Sequence, residues 1–290
     1  MSRRITGRTV EAVRERLGER DWLVLKDVAR VRVLSTSQVE RLHFVGGSSL
    51  SNARQCRKAL ARLSDWCCLT RLDRRVGGVR AGSASYLYTL GVVGQRLLTE
   101  RGPAGGRRLR YPWEPSWPYV AHLLEVSELY VRLRETERVE PGLELLGYQA
   151  EPACWRRFWG ASGSQVIKPD AFVRLGREEY EDRFFVEVDR GTESPRTLEC
   201  QVRVYCQYWA SGQEQVRSGV FPRVLWLVPD ERRKALLVEV LASLPAESWQ
   251  LFQVATADRA VEAITGSGSD SGAKEGDHQN VADERKEREG

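Results

Sequence analysis

Apolar residues recur at helical spacing through residues 9–33: Val10, Val13 and Leu17, then Trp22, Leu25, Val28 and Ala29, one face of a 3.6-residue repeat. Residues 34–38 break the repeat, and Ser35 or Thr36 is a suitable N-cap for a short helix over 38–44. Gly46-Gly47 makes a turn. Ser48 or Ser49 then caps a longer helix to about residue 64. Leu50, Ala53, Ala59, Leu60 and Leu63 give this helix a core face, and Arg54, Arg57, Lys58 and Arg62 gather on or near one other face. Residues 66–72 and 85–90 read as strands around the basic, glycine-bearing loop 73–80, with a helix over 92–99 after them.

Further along, 102–117 is rich in Gly, Pro and Arg and reads as a linker. Residues 119–134 are helical, with Tyr119, Leu123, Val126, Tyr130 and Leu133 as one stripe. A strand is expected over 143–150. Period two then takes over: 170–175 and 184–188 read as strands joined by the polar turn 176–181. A helix over 196–210 carries Leu198, Val202, Tyr205 and Trp209 at helical spacing. The apolar run 224–230 is a buried-type strand, followed by a helix over 232–244, a short strand over 249–255 and a helical turn or two over 258–264. From 266 onward the chain has no apolar periodicity and reads as a disordered tail.

Helix, short helix, basic helix, strand, basic loop, strand is the order of a winged helix-turn-helix. In that arrangement the helix over 50–63 enters the major groove of duplex DNA, and Arg74, Arg75 and Arg80 on the wing touch phosphates or the minor groove. A winged helix used for protein contacts has the same element order. The expected fold is α+β, with domains at 1–101 (winged helix), 102–117 (linker) and 118–265 (an α/β domain), and a tail at 266–290.

Charge sharpens this division. The net charge is only +5, but residues 1–110 hold 23 Lys/Arg and 9 Asp/Glu, against 22 and 31 in the remainder. A basic module for nucleic acid joined to an acidic one accounts for that asymmetry. No apolar run approaches the length of a membrane span. The N-terminal residues lack the apolar core of a secretory signal, and the six cysteines form no CxxC pair, so free thiols in a reducing cytoplasm are expected. No GxxxxGK[ST] loop or GxSxG elbow occurs. His43, His122 and His278 are too scattered for a histidine-cluster relaxase.

The second half has one candidate site. Along the strand 184–188, Glu187 and Asp189 alternate with Val186 and Val188, so the two acids share a face. If 170–175 pairs with it as a hairpin, Asp170 falls opposite Glu187. Facing like charges are destabilising, so three such carboxylates call for a counter-charge. A divalent metal, Mg2+ or Mn2+, is one candidate, and Lys168, Arg174, Arg183 or Arg190 on an ordinary surface hairpin are the other. Pro169-Asp170 at one strand start, with Glu187-Val188-Asp189 ending the next, resembles the layout of the PD-(D/E)xK nuclease fold, a restriction-endonuclease-like α/β domain with a mixed sheet. Asp189 stands where that motif has lysine. In such folds the first helix often lends an acid, here Glu125 or Glu128.

The segment from Arg20-Asp21-Trp22, the run 37–44, Pro169-Asp170-Ala171 and above all EVDRGTE at 187–193 resemble the replication-relaxation family of actinobacterial and other Gram-positive plasmids, integrated elements and phages, over about residues 18–265. The resemblance implies DNA binding linked to plasmid replication or DNA relaxation. In that family a lysine commonly lies on the following helix, four before a tyrosine. Here that position is Gln201, four before Tyr205, which orients a water but carries no charge. Two readings follow. One is a DNA-binding accessory or regulatory protein, its nuclease-like domain serving as a dimerisation or partner surface for a replication or relaxation protein, with weak or absent cleavage. The other is a metal-dependent endonuclease with Asp170, Glu187 and Asp189 as ligands and Gln201 as helper.

Overall fold

The computed structural model describes residues 5–76, 85–101, 115–160 and 163–266. The chain divides into two units, Met1–Glu135 and Thr136–Gly290, and is of mixed α+β class. In the first unit α1 (Gly7–Arg14), α2 (Glu19–Val31), β1 (Leu34–Ser35), α3 (Thr36–His43), α4 (Ser49–Asp65), β2 (Leu69–Val76), β3 (Ser85–Leu90) and α5 (Val92–Arg101) follow in order, and α6 (Trp117–Val139) runs across the boundary. The strands form a sheet of order β1-β3-β2, both pairings antiparallel.

The single helix expected over 9–33 is two. Gly18 takes extended backbone as the N-cap of α2, and its N–H donates to the Asp21 carboxylate at 3.1 Å. The other caps follow the sequence closely: Ser35 accepts from Gln38 N at the start of α3, and Ser48 accepts from Ser51 N at the start of α4. Gly94 is required by a close approach, since a Cβ there would meet the Cys68 carbonyl oxygen at 2.2 Å.

α6 belongs by its packing to the first unit over most of its length. Val120 and Leu123 share a buried cluster with Val33 and Leu87. The buried Ser127 hydroxyl bonds the carbonyl of Val33 at 2.6 Å. Tyr130 donates to Asp27 at 2.7 Å and accepts from Arg30 at 2.8 Å. Glu128, a candidate to lend an acid to the second half, instead takes hydrogen bonds from Gln38 at 3.0 Å and Arg41 at 2.7 Å.

The second unit contains β4 (Leu143–Ala150), β5 (Arg156–Gly160), β6 (Gly163–Ile167), β7 (Ala171–Arg177), β8 (Tyr180–Val188), α7 (Pro195–Ala210), α8 (Gln213–Ser218), β9 (Arg223–Val228), α9 (Glu231–Ala242), β10 (Phe252–Thr256) and α10 (Ala260–Thr265). Five strands form a mixed sheet of order β10-β9-β8-β7-β4. β8, β9 and β10 are parallel, and β7 is antiparallel to both β8 and β4. β9 reads as an unbroken apolar run because every residue after Arg223 is buried, as a central parallel strand requires. Phe185 anchors the core, its ring within 5.4 Å of Phe172 and 6.1 Å of Tyr205, centre to centre. The β7–β8 turn is tighter than the six residues expected: pairing continues to Arg177↔Tyr180, leaving Glu178 and Glu179, with Glu178 at φ 52°. β5 and β6 form a separate hairpin, and neither it nor α8 is among the expected elements.

Candidate functional site

α4 is amphipathic. Cys56, Leu60 and Leu63 are buried, while Arg54, Arg57 and Lys58 are exposed and have no ion-pair partner among the described residues. Arg62 differs: its guanidinium bonds Asp21 at 2.6 Å and lies over the Trp66 ring at 5.4 Å. Leu50, expected on the core face, is 85% exposed. It sits in the first turn, and the buried residues of the helix begin at Cys56. Arg74 and Arg75 lie on β2, with side chains outside the described residues. Arg80, like the tail from 267 and most of the expected linker, lies outside them altogether.

The hairpin of the second unit brings Asp170 and Glu187 together. The register Ala171↔Val186, extended by one pair, sets Asp170 opposite Glu187, and Asp170 N donates to Val186 O at 2.9 Å. The Asp170 carboxylate accepts from Val188 N at 2.7 Å. Glu187 accepts a hydrogen bond from the Tyr205 hydroxyl of α7. One turn earlier on α7, Gln201 donates to Glu193 at 3.2 Å. The Gln201 Oε1 atom is buried with no hydrogen-bond partner. Burial, and then the charge of Asp170, hold Glu187 well above the ordinary carboxylate range. Burial likewise raises Glu193, with Gln201 opposing, and burial followed by the Glu187 charge raises Tyr205.

Asp189 takes another partner. Its carboxylate is gripped by Arg233 of α9 through Nε and, at 3.2 Å, through Nη2, and it also accepts from Gly191 N at 2.8 Å. Arg233 Nη2 donates to the Glu193 carbonyl at 2.8 Å, so this pair clamps the turn that carries Glu193. Of the cations expected to neutralise the acids, Arg174 and Arg183 both bond Glu181, at 2.7 and 2.6 Å, and Lys168, exposed, has its ammonium over the Trp155 ring. Among the described residues no group of three or more His, Cys, Asp or Glu side chains is arranged to hold a metal ion. The donor set does not fit Mg2+ or Mn2+ as expected, because Asp189, the third carboxylate, is committed to Arg233.

The sequence pattern set Asp170 opposite Glu187 but did not point to the contacts that Glu193, Tyr205 and Arg233 make here. Tyr205 reads as one more residue of a core stripe, and Glu193 as part of a turn. Nothing local in the sequence couples Arg233 to Asp189.

No helix among the described residues is long and apolar enough to cross a membrane. Neither the curated proteins nor the solved structures give a match to the chain. The family model described as Replication-relaxation matches residues 25–224, which takes in the basic helix, the carboxylate hairpin and α7. The chain therefore belongs to the replication-relaxation family.

Proposed function

We propose that this chain is a DNA-binding accessory or regulatory protein of mobile-element replication or relaxation, in which the first unit is a winged helix-turn-helix that grips duplex DNA. The observation that carries the reading is the outer face of α4, where Arg54, Arg57 and Lys58 stand exposed opposite a face buried through Cys56, Leu60 and Leu63. A helix held from behind with free cations in front suits the major groove and its phosphates. Family membership fits a replication-related role.

The second unit, on this reading, is a nuclease-like scaffold with weak or absent cleavage that serves as a partner or dimerisation surface. The fixing of Asp189 by Arg233 and the neutral Gln201 beside Glu193 support it. The alternative, a metal-dependent endonuclease, is favoured by one observation, the direct opposition of Asp170 and Glu187 across the hairpin.

The test is duplex binding across a salt series. Replacing Arg57 and Lys58 with Ala is expected to weaken binding and to flatten the slope of log affinity against log salt by about 2, roughly 0.9 for each phosphate no longer neutralised. An unchanged affinity and slope would remove α4 as the reading helix.

A further inference from the structure

We propose that the outer face of the β5–β6 hairpin binds single-stranded DNA, Trp159 stacking on a base while Arg157 and Lys168 hold phosphates. Alternation along β5 separates two faces. Phe158 is 1% exposed and Ile167 of β6 is 2% exposed, both in the core cluster. Arg157 and Trp159 point the other way, and Trp159 is 73% exposed.

That exposure comes with a fixed backbone. The Trp159 N–H donates to Gln213 Oε1 at 3.3 Å, and its carbonyl accepts from Gln213 Nε2 at 3.0 Å. The side-chain amide of α8 thus occupies the strand edge where another strand would pair. It leaves the indole ring free while its attachment is held, so stacking on it orders little that is not already ordered.

The charged residues of the hairpin itself are of one sign. From Pro152 to Pro169 the sequence has Arg156, Arg157 and Lys168 and no Asp or Glu. Arg156 is spent inward, buried beside Glu214 at 3.6 Å. Arg157 and Lys168 are exposed and have no ion-pair partner among the described residues. The register Arg156↔Ile167, continued by one pair, sets Lys168 opposite Trp155, over whose ring its ammonium lies at 5.1 Å. Arg217 adds an exposed cation on α8, the helix that holds Trp159.

An aromatic ring among cations is how sequence-tolerant single-strand sites are built, since every base has a face to stack and every nucleotide a phosphate. Duplex DNA offers such faces only at its ends. The proposal is independent of the duplex reading of α4, which rests on other residues in the other unit.

The experiment is fluorescence anisotropy of a labelled oligothymidylate with the full chain, beside a labelled duplex. Trp159→Ala is expected to weaken oligothymidylate binding roughly tenfold, Trp159→Phe to keep most of it, and Arg157→Ala with Lys168→Ala to weaken it and lower its salt slope by about 1.4. Duplex affinity should not move in any of them. Three outcomes overturn the proposal: wild-type protein that does not bind the oligothymidylate, Trp159→Ala that binds it as wild type does, or Trp159→Ala that changes the oligomeric state by light scattering with single-strand affinity intact. The last would make the face a protein interface.

Discussion

Arg233 holds Asp189 through both carboxylate oxygens, with side chains only 10% and 1% exposed. The same guanidinium reaches the Glu193 carbonyl, so one residue of α9 neutralises the end of β8 and fixes the turn after it. Removing one partner of a buried pair leaves an uncompensated charge, which costs about 3–5 kcal/mol. Arg233→Met should therefore lower the unfolding transition of the second unit by that order in a calorimetric scan. The double variant Arg233→Met, Asp189→Leu should recover much of the loss, because no buried charge is left unpaired. Equal destabilisation in both variants would show that packing rather than charge is at stake.

A second buried acid predicts a pH dependence. Burial would raise Asp27, but the adjacent His43 ring, the hydrogen bond from Tyr130 and the Arg30 charge outweigh it and bring Asp27 below its ordinary value. Its neighbours are His43 at 3.1 Å, the Tyr130 hydroxyl at 2.7 Å and Arg30 at 3.6 Å. A carboxylate depressed in the folded state binds fewer protons folded than unfolded. Its contribution is then complete above the unfolded value of about 3.9 and is lost as pH falls through the folded one. Asp27→Ala should cost the first unit about 1–3 kcal/mol at neutral pH, and the gap to wild type should narrow as pH falls below the ordinary carboxylate range. A gap constant with pH would refute the assignment.

Local patterning made most of this fold legible. The caps at Ser35 and Ser48, the β7–β8 hairpin and the facing of Asp170 and Glu187 all follow from turn chemistry and period two, which act over a few residues. The same logic put Asp189 beside Glu187, since alternate residues share a face. One residue beyond the strand, where Val188 ends β8, Asp189 takes a partner that this patterning does not reveal, an arginine 44 positions later. Leu50 misled for a related reason: helical spacing says which side chains share a face, not how far along the helix the body of the unit reaches. The β5–β6 hairpin escaped because Trp155 to Trp159 is dense in aromatics and arginines, and its alternation shows only once Phe158 is known to be inside.

Catalysis by the second unit is decided by supercoiled plasmid. Asp170 and Glu187 face each other, but Asp189 is bound to Arg233 and Gln201 brings no positive charge to the acids. The expected result with Mn2+ or Mg2+ is plasmid shifted on a gel and not nicked, and the same shift from Asp170→Ala, since that residue lies outside the basic helix. Nicking by wild-type protein that disappears in Asp170→Ala would make the chain an endonuclease and return the carboxylates to a metal. Gln201→Lys separates two explanations for an absence of nicking. A lysine there would stand beside Glu193 and supply the missing charge while leaving Asp189 in the grip of Arg233. If that variant also fails to nick, the clamp on Asp189 is sufficient to disarm the site, which is the outcome expected here. If it nicks, the absent lysine alone was the block, and Asp189 is not needed as a ligand.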